Sequence, residues 1–433
     1  MGNLAINGGK PVREKPWPLH TTIGKEELDA VTRVIEGKNL SLYEGNYFAD
    51  EPFSFLGGPY VNALEKKWAD YYGIKHAVAV NSATSGLYAA IGALGIGPGD
   101  EVIVSPYTMS ASATCALVYN AIPVFADIEP DMFNLDPKSI EERISERTKA
   151  IVVIHIMGHP ADMDSIMEIA KKHDIAVVED CAQAHDAVYK GRKVGTIGDI
   201  GVFSLNVNKT IEVGEGGVLT TNDDDLALRL QLIRNHGEVV VDQMEYQDLN
   251  NMIGYNYRMC EVEASMAIEQ LKKLKDFNSV RRELADYLNK ELSRFDGITV
   301  PKEKEECTHV YYVYGMKFDE EKVGVSRDVF CKALCAEGIP VFQGYMKPLY
   351  LQELYQKRIG YGGKGCPFQC HHYDGEVSYE KGICPVAEKM YEKQYFGFEY
   401  LKAPNTLEDM KDVVMAFKKV FSNLSELKEK NND

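Results

Sequence analysis

Three short stretches of this chain combine residue types that can do chemistry. The first, Asn81-Ser82-Ala83-Thr84-Ser85-Gly86-Leu87, sets small hydroxyl residues where an apolar run gives way to a helical pattern. Free backbone N–H groups and the positive end of a helix dipole make such a turn an anion site. A plain Ser/Thr helix cap explains it equally well. The second, Ile175 to Gln183, ends an apolar strand in two carboxylates, Glu179 and Asp180. Open α/β sheets bind ligands beyond the carboxyl ends of their strands. Taken alone, the stretch reads more readily as a loop acid capping the next helix. The third, Gly201 to Gly217, carries Lys209 in a turn after a strand, ahead of Gly214-Glu215-Gly216-Gly217. A lysine lining a cleft can have its pKa lowered and form a Schiff base, although most lysines are simply solvated.

Together and in this order the three gain weight. A helix start with free N–H donors, a strand-terminal Asp180 and a lysine 29 residues later are the parts that a pyridoxal phosphate site needs. The phosphate requires N–H donors, the pyridine nitrogen an acid, and the aldehyde an amine.

The surrounding elements must hold these parts together. From residue 76 to 221, apolar β-rich runs alternate with stretches of helical spacing. The runs are His76–Asn81, Glu101–Ser105, Pro123–Ala126, Ala150–Ile156, Ile175–Asp180, Gly201–Leu205 and Gly217–Thr221; the helical stretches include Ser85–Leu94, Pro137–Ile144 and Met163–Lys172. This alternation predicts an α/β fold with a mixed, mostly parallel sheet covered on both faces. A long helix is predicted over Glu261–Phe295. After it, Val310–Met316 reads as a strand, Ser326–Glu337 as a helix and Thr406–Leu427 as a closing helix, making a smaller C-terminal α+β domain. The expected division is a large cofactor-binding domain over 20–295, a small domain over 296–433 and an N-terminal arm over 1–19. The polar tail 428–433 is expected to fray.

Composition limits the function. Among 433 residues, 48 are Lys or Arg and 65 Asp or Glu, a formal charge of −17. Such acidity without a long basic run argues against nucleic acid or an anionic membrane as partner. With 45% hydrophobic and 26% charged residues the chain is neither disordered nor a small disulfide scaffold. No run approaches the ~18–20 apolar residues of a membrane span, and the opening Met1 to Lys10 lacks a signal-peptide pattern. The expected location is the cytoplasm. Nine scattered cysteines fit reduced thiols better than a disulfide framework.

The stretch Ser82 to Leu87, Gly97-Pro98-Gly99-Asp100-Glu101-Val102, Pro123 to Asp127, Glu179 to His185, Phe203-Ser204 with Lys209 and Gly214 to Gly217, and Gly254-Tyr255-Asn256-Tyr257-Arg258-Met259 resemble the DegT/StrS-type sugar aminotransferases. The likeness covers about residues 20–420. The opening Leu4 to Gly9 with Pro11-Val12-Arg13 is similar to the branch holding scyllo-inosose aminotransferases and 3-amino-5-hydroxybenzoate synthases. The resemblance implies fold type I, pyridoxal 5′-phosphate as cofactor, and a homodimer with shared active sites. It implies a small-molecule amino donor, glutamate or glutamine, and a ketone acceptor. By the same resemblance Lys209 is the Schiff-base lysine, Asp180 the acid at the pyridine nitrogen, and Gln183 a neighbour of the phenolic oxygen. Ala83, Thr84 and Ser85 form the phosphate turn, Ser204 adds a hydroxyl to it, and Asn256 reaches the neighbouring subunit's phosphate.

The chain departs from that family in places. Met109 stands where an aromatic residue usually lies over the cofactor ring; a thioether can pack on a π face, with Tyr107 as the alternative. Asp186 replaces a glycine. Tyr350 stands where many nucleotide-sugar members carry His, which with the amino-terminal likeness points to a compact ring ketone, a keto-cyclitol or keto-sugar. A nucleotide-linked keto-sugar is the alternative acceptor. Relatives that are dehydratases carry His in place of the lysine, so Lys209 favours amino transfer. Intact Lys209, Asp180 and Gln183 argue against a cofactor-binding regulator without turnover. Cys366, Cys370, His371 and His372 cluster in a Gly-rich loop, but their spacing is not a usual zinc pattern; a substrate-covering loop is the favoured reading and no metal is expected. The aromatic stretch Tyr43–Tyr60 reads as a lid or a dimer-interface segment.

Overall fold

The computed structural model describes residues 3–18 and 21–428. All seven expected strands form, with ends within two residues of the expected ones. They join in one sheet, in the order His76–Val80, Gly217–Thr221, Ile200–Ser204, Ala176–Asp180, Thr148–Ile154, Glu101–Val104, Ile122–Phe125. The five strands from Ile200–Ser204 outward pair in parallel. Parallel neighbours need long crossovers, and helices such as Met163–His173 supply them.

Gly217–Thr221 is the exception, antiparallel to both neighbours. It follows Ile200–Ser204 after a loop that holds no helix, and the chain doubles back. The reversal leaves His76–Val80 pointing the same way as the parallel strands. The register then sets Val80, Gly217 and Ser204 in one row across three adjacent strands, and Asp180 ends the next strand along. All three chemistry-bearing stretches therefore leave the sheet at one edge.

The helix Ala83–Ala93 starts at that edge and lies on the sheet with little side chain between. A Cβ on Gly217 would meet the Ala83 amide nitrogen at 2.7 Å, and one on Gly86 would meet Val202 Cγ1 at 3.1 Å. Glycine is required at 217 by close approach rather than by backbone angle.

The helix Glu261–Leu292 belongs to two cores. Ala264, Ile268 and Leu271 pack with Trp68 and Tyr72 beneath the large sheet. Leu284, Leu288 and Leu292 pack with Phe318, Phe330 and Phe417 around a second sheet of Ile298–Thr299, Tyr314–Phe318, Tyr395–Phe398 and Val341–Gln343. The amino-terminal segment fastens to this second body. Arg13 Nη1 reaches Asp409 at 3.0 Å and Asp412 at 2.8 Å, and Glu337 accepts from the Ala5 and Val12 amides while pairing with Lys419. Residues 349–390 return to the outer strand of the large sheet. Tyr379 donates its hydroxyl to the Pro123 carbonyl at 2.8 Å, and Asp127 accepts from the Val386 and Ala387 amides.

Two expectations need correction. The strand expected over Val310–Met316 begins only at Tyr314. Before it, Tyr311 has φ +48°, and the Val310 amide bonds the Gly158 carbonyl instead of a neighbouring strand. The closing helix stops at Ser422, and a separate one-turn helix Ser425–Lys428 follows. Residues 429–433 of the expected tail lie outside the described residues. No helix among the described residues is long and apolar enough to cross a membrane.

Gly217→Ala is expected to destabilise the protein by about 1–3 kcal/mol, the usual range for overpacking a tight contact. A thermal melt unchanged from wild type would show that the helix start tolerates a shift at this row.

Candidate active site

A cavity of about 410 Å³ sits at the shared strand edge. Its floor and walls come from the three stretches together: Ser82, Ala83 and Thr84; Asp180 and Gln183; Ser204, Asn206, Asn208 and Lys209. Thr108, Met109 and Ser112 close one side, and Tyr312 and Tyr345 arrive from the C-terminal part.

At the helix start, Ser82 Oγ accepts from the Ser85 amide at 3.1 Å. Among the described residues the Ala83 and Thr84 amides have no acceptor, so two donors at the positive end of the helix face the cavity. Ser85 itself does not line it. Its hydroxyl is buried, and its single hydrogen has Asn81 Oδ1 at 2.6 Å and the Ser82 carbonyl at 2.8 Å as acceptors. Ser85 shapes the turn and leaves anion contact to its two neighbours.

The adjacent carboxylates part company because successive strand residues face opposite sides. Glu179 points away from the cavity. It pairs with His155 Nε2 at 3.0 Å and accepts from the Gly195, Ile197 and Gly198 amides. Burial alone would raise its pKa, but His155 and these donors outweigh burial and hold it low. Asp180 faces the cavity. It accepts from Ser112 Oγ at 2.8 Å and from the Ala182 amide at 3.1 Å. Burial raises its pKa; the Ala182 amide, the Ser112 hydroxyl and then the charges of Lys209 and His155 offset this only in part. Among the described residues no Lys, Arg or His lies within ion-pair distance of Asp180. It is a buried acid without a direct ion pair among the described residues.

Among the described residues Lys209 is the sole cation in the lining. Its Nζ donates to Tyr312 Oη at 3.4 Å and lies 4.9 Å from that ring's centroid. Gln183 is fixed at both ends: Oε1 accepts from the Met157 amide at 2.8 Å, and Nε2 donates to Tyr345 Oη at 2.7 Å. Ser204 Oγ accepts from the Asn206 amide at 3.3 Å. Met109 lines the mouth and is 58% exposed. Tyr107, the alternative, is buried outside the cavity and donates to the Gly344 carbonyl. Asn256 is also outside the cavity of its own chain. It is exposed, and its Oδ1 accepts from Arg258 Nε at 2.9 Å.

Several lining residues carry no sequence signal. Tyr312 and Tyr345 are more than 100 residues from Lys209 and reach its cavity only through the fold. Ser112 lies three residues past Met109, and one helical turn aims it at Asp180.

Tyr350, which stands where many nucleotide-sugar members carry His, does not line the cavity. It is fully buried, donates its hydroxyl to Glu388 and packs against Phe125. Lys357 pairs with Glu353, and Arg358 holds the Val377 carbonyl; neither lines the cavity. In the Gly-rich loop, Cys370 Sγ lies 3.9 Å from His371 Nδ1 and the two histidine rings are 3.8 Å apart. In the aromatic stretch, Tyr43 and Phe55 are buried, whereas Tyr47, Phe48 and Phe53 are exposed. Among the described residues, the group whose ligand atoms come close enough for a metal is His155, Glu179 and Cys181. Backbone donors already occupy that glutamate.

The chain matches the DegT/DnrJ/EryC1/StrS aminotransferase family over residues 48–393. It is 32% identical to an L-glutamine:2-deoxy-scyllo-inosose aminotransferase of Streptoalloteichus tenebrarius, with 98% of this chain and 99% of that protein covered. It is 40% identical to a GDP-perosamine synthase of Caulobacter vibrioides over 66% of this chain and 76% of the relative. The solved structure of an aminotransferase from Psychrobacter cryohalolentis superposes with a TM-score of 0.79 at 32% identity, covering 94% of this chain and 99% of that one.

Asp180→Asn is expected to stabilise the ligand-free protein at neutral pH. A raised native pKa means that the ionised acid costs stability above that pKa and costs nothing below about pH 4, where it is protonated in both states. Asparagine never ionises, and the Ser112 hydroxyl can turn to accept from it. Melting temperatures across pH should therefore converge at low pH and separate as pH rises; equal melts at pH 7 would mean that Asp180 carries no burial penalty.

Proposed function

We propose that this chain, which belongs to the DegT/DnrJ/EryC1/StrS aminotransferase family, uses pyridoxal 5′-phosphate to move an amino group from glutamate or glutamine to a cyclic ketone. What carries the reading is the convergence of Lys209, Asp180 and the free Ala83 and Thr84 amides on one cavity. These residues fit that cofactor. The two amides and Ser204 suit a phosphate, the uncompensated Asp180 suits a protonated ring nitrogen, and Lys209 suits an aldehyde. When bound, pyridoxal phosphate would serve as electron sink and carry the amino group from one substrate to the other.

The chain's own residues have separate tasks. Lys209 Nζ would anchor the cofactor and then, once displaced by a substrate amine, take and return the proton at the reacting carbon. Tyr312 Oη stands beside that nitrogen and orients it. Asp180 supplies fixed negative charge, held in place by Ser112 and the Ala182 amide. Gln183, tied to Tyr345 and the Met157 amide, gives a rigid wall.

The acceptor is read as a keto-cyclitol or keto-sugar. Support comes from the nearly full-length similarity to a relative named for 2-deoxy-scyllo-inosose. The higher identity over a shorter span to a relative named for GDP-perosamine favours a nucleotide-linked sugar as second reading. We also infer a homodimer in which Asn256 completes the partner's site. Asn256 is exposed outside its own cavity, and among the described residues Lys209 is the lone cation there.

Borohydride reduction followed by peptide mapping should put the pyridoxyl group on Lys209; a label on another lysine ends the assignment. Lys209→Ala should slow the half-reaction with glutamate or glutamine, followed by cofactor absorbance, by at least about 10²-fold. Mixing Lys209→Ala with an inactive Asn256 variant tests the dimer: a verified heterodimer should regain activity at one of its two sites, and no recovery would count against shared sites.

A further inference from the structure

A second cavity, of about 190 Å³, adjoins the first at Asn208 and Tyr312, which line both. Its remaining lining is Arg281, Glu399 and Lys402. Arg281 comes from the middle of the helix Glu261–Leu292 and is 2% exposed. Its Nη1 donates to the Tyr311 carbonyl at 3.2 Å and the Tyr312 carbonyl at 3.4 Å, while Nε is buried without a partner. Among the described residues no carboxylate lies within ion-pair distance of it. A buried guanidinium left unpaired is costly, and burial pushes its pKa down to about 10. Lys402 is held below its ordinary value by burial first and by Arg281's charge second. Glu399 lines the cavity and Glu212 acts on Lys402 from beside it, yet among the described residues neither carboxylate pairs with Arg281.

We propose that Arg281, Lys402 and Asn208 form a carboxylate-binding subsite beside Lys209, where a substrate's carboxylate docks while its reacting end lies in the main cavity. The planar guanidinium fork suits a carboxylate. A carboxylate sets one negative charge against Arg281, whereas a phosphate dianion would set two beside Glu399 and Glu212. The space holds a carboxylate-bearing fragment rather than a nucleotide. Tyr312 links the two cavities, since its backbone carbonyl accepts from Arg281 and its hydroxyl accepts from Lys209. The identity of the substrates rests on the aminotransferase reading; the subsite itself does not. The carboxylate belongs either to the amino donor or to a carboxylated acceptor.

The test is calorimetric titration of glutarate, which carries carboxylates but no amine, into the cofactor-loaded protein. Arg281→Gln and Lys402→Gln should each weaken binding at least tenfold with circular dichroism and cofactor absorbance retained. Lys402 is only half-buried, so its variant carries the test if Arg281→Gln fails to fold. Absence of glutarate binding by wild type, or equal binding by the folded variants, overturns the proposal. A KM for glutamate or glutamine raised at least tenfold, with that for a neutral cyclitol ketone unmoved, assigns the carboxylate to the donor. An effect confined to a carboxylated ketone assigns it to the acceptor. If wild type binds glutarate, the variants lose it and no amino transfer occurs, the subsite stands and the aminotransferase reading fails.

Discussion

The site depends on one reversal in the sheet. Had Gly217–Thr221 run parallel to Ile200–Ser204, a crossover helix would have stood where the Lys209 loop is, and the row Val80, Gly217, Ser204 could not form. Because the strand doubles back, its first residue lies at the same edge as the last residues of its neighbours. The Ala83 helix start then rests directly on Gly217. Lysine turn, helix start and strand-terminal acid thus share an edge through backbone pairing, which is stiffer than any side-chain contact could make it.

On this scaffold the electrostatics divide by strand alternation. Glu179 and Asp180 are neighbours with the same charge, yet one is fully satisfied by His155 and three amides and the other keeps only two donors. The first is a structural clamp on the Gly195–Gly198 turn. The second retains an unmet need for positive charge, which is stored at the place where a cationic ring would be received. The helix start shows the complementary imbalance: it has amide donors without acceptors. A site with spare negative charge at one end and spare donors at the other selects a molecule with a cationic and an anionic end.

The remaining walls come from the second body of the chain. Tyr312 and Tyr345 reach the cavity because Val310 is bonded to the Gly158 carbonyl and Gln183 to the Tyr345 hydroxyl. The long helix joins the two bodies by packing half its length in each core, and Arg281 on that helix grips the Tyr311 and Tyr312 carbonyls. Lysine environment and inter-body packing are therefore coupled through one tyrosine.

The parallel-sheet architecture and the seven strands of the large sheet were legible in the sequence, because apolar periodicity and local turn chemistry are properties of contiguous residues; the family was legible through motif resemblance. The sequence also singled out Lys209, Asp180 and the Ala83-Thr84 turn, each of which sits at the end of a legible element. The tertiary structure alone decided the rest. It turned Asp180 inward and Glu179 away, put the Ser85 hydroxyl to use inside the turn, buried Tyr107 and Tyr350 in the core, and brought Ser112, Tyr312, Tyr345 and Arg281 to the two cavities. Those outcomes depend on which face a strand buries and on contacts between residues far apart in the chain, and no local spacing encodes either.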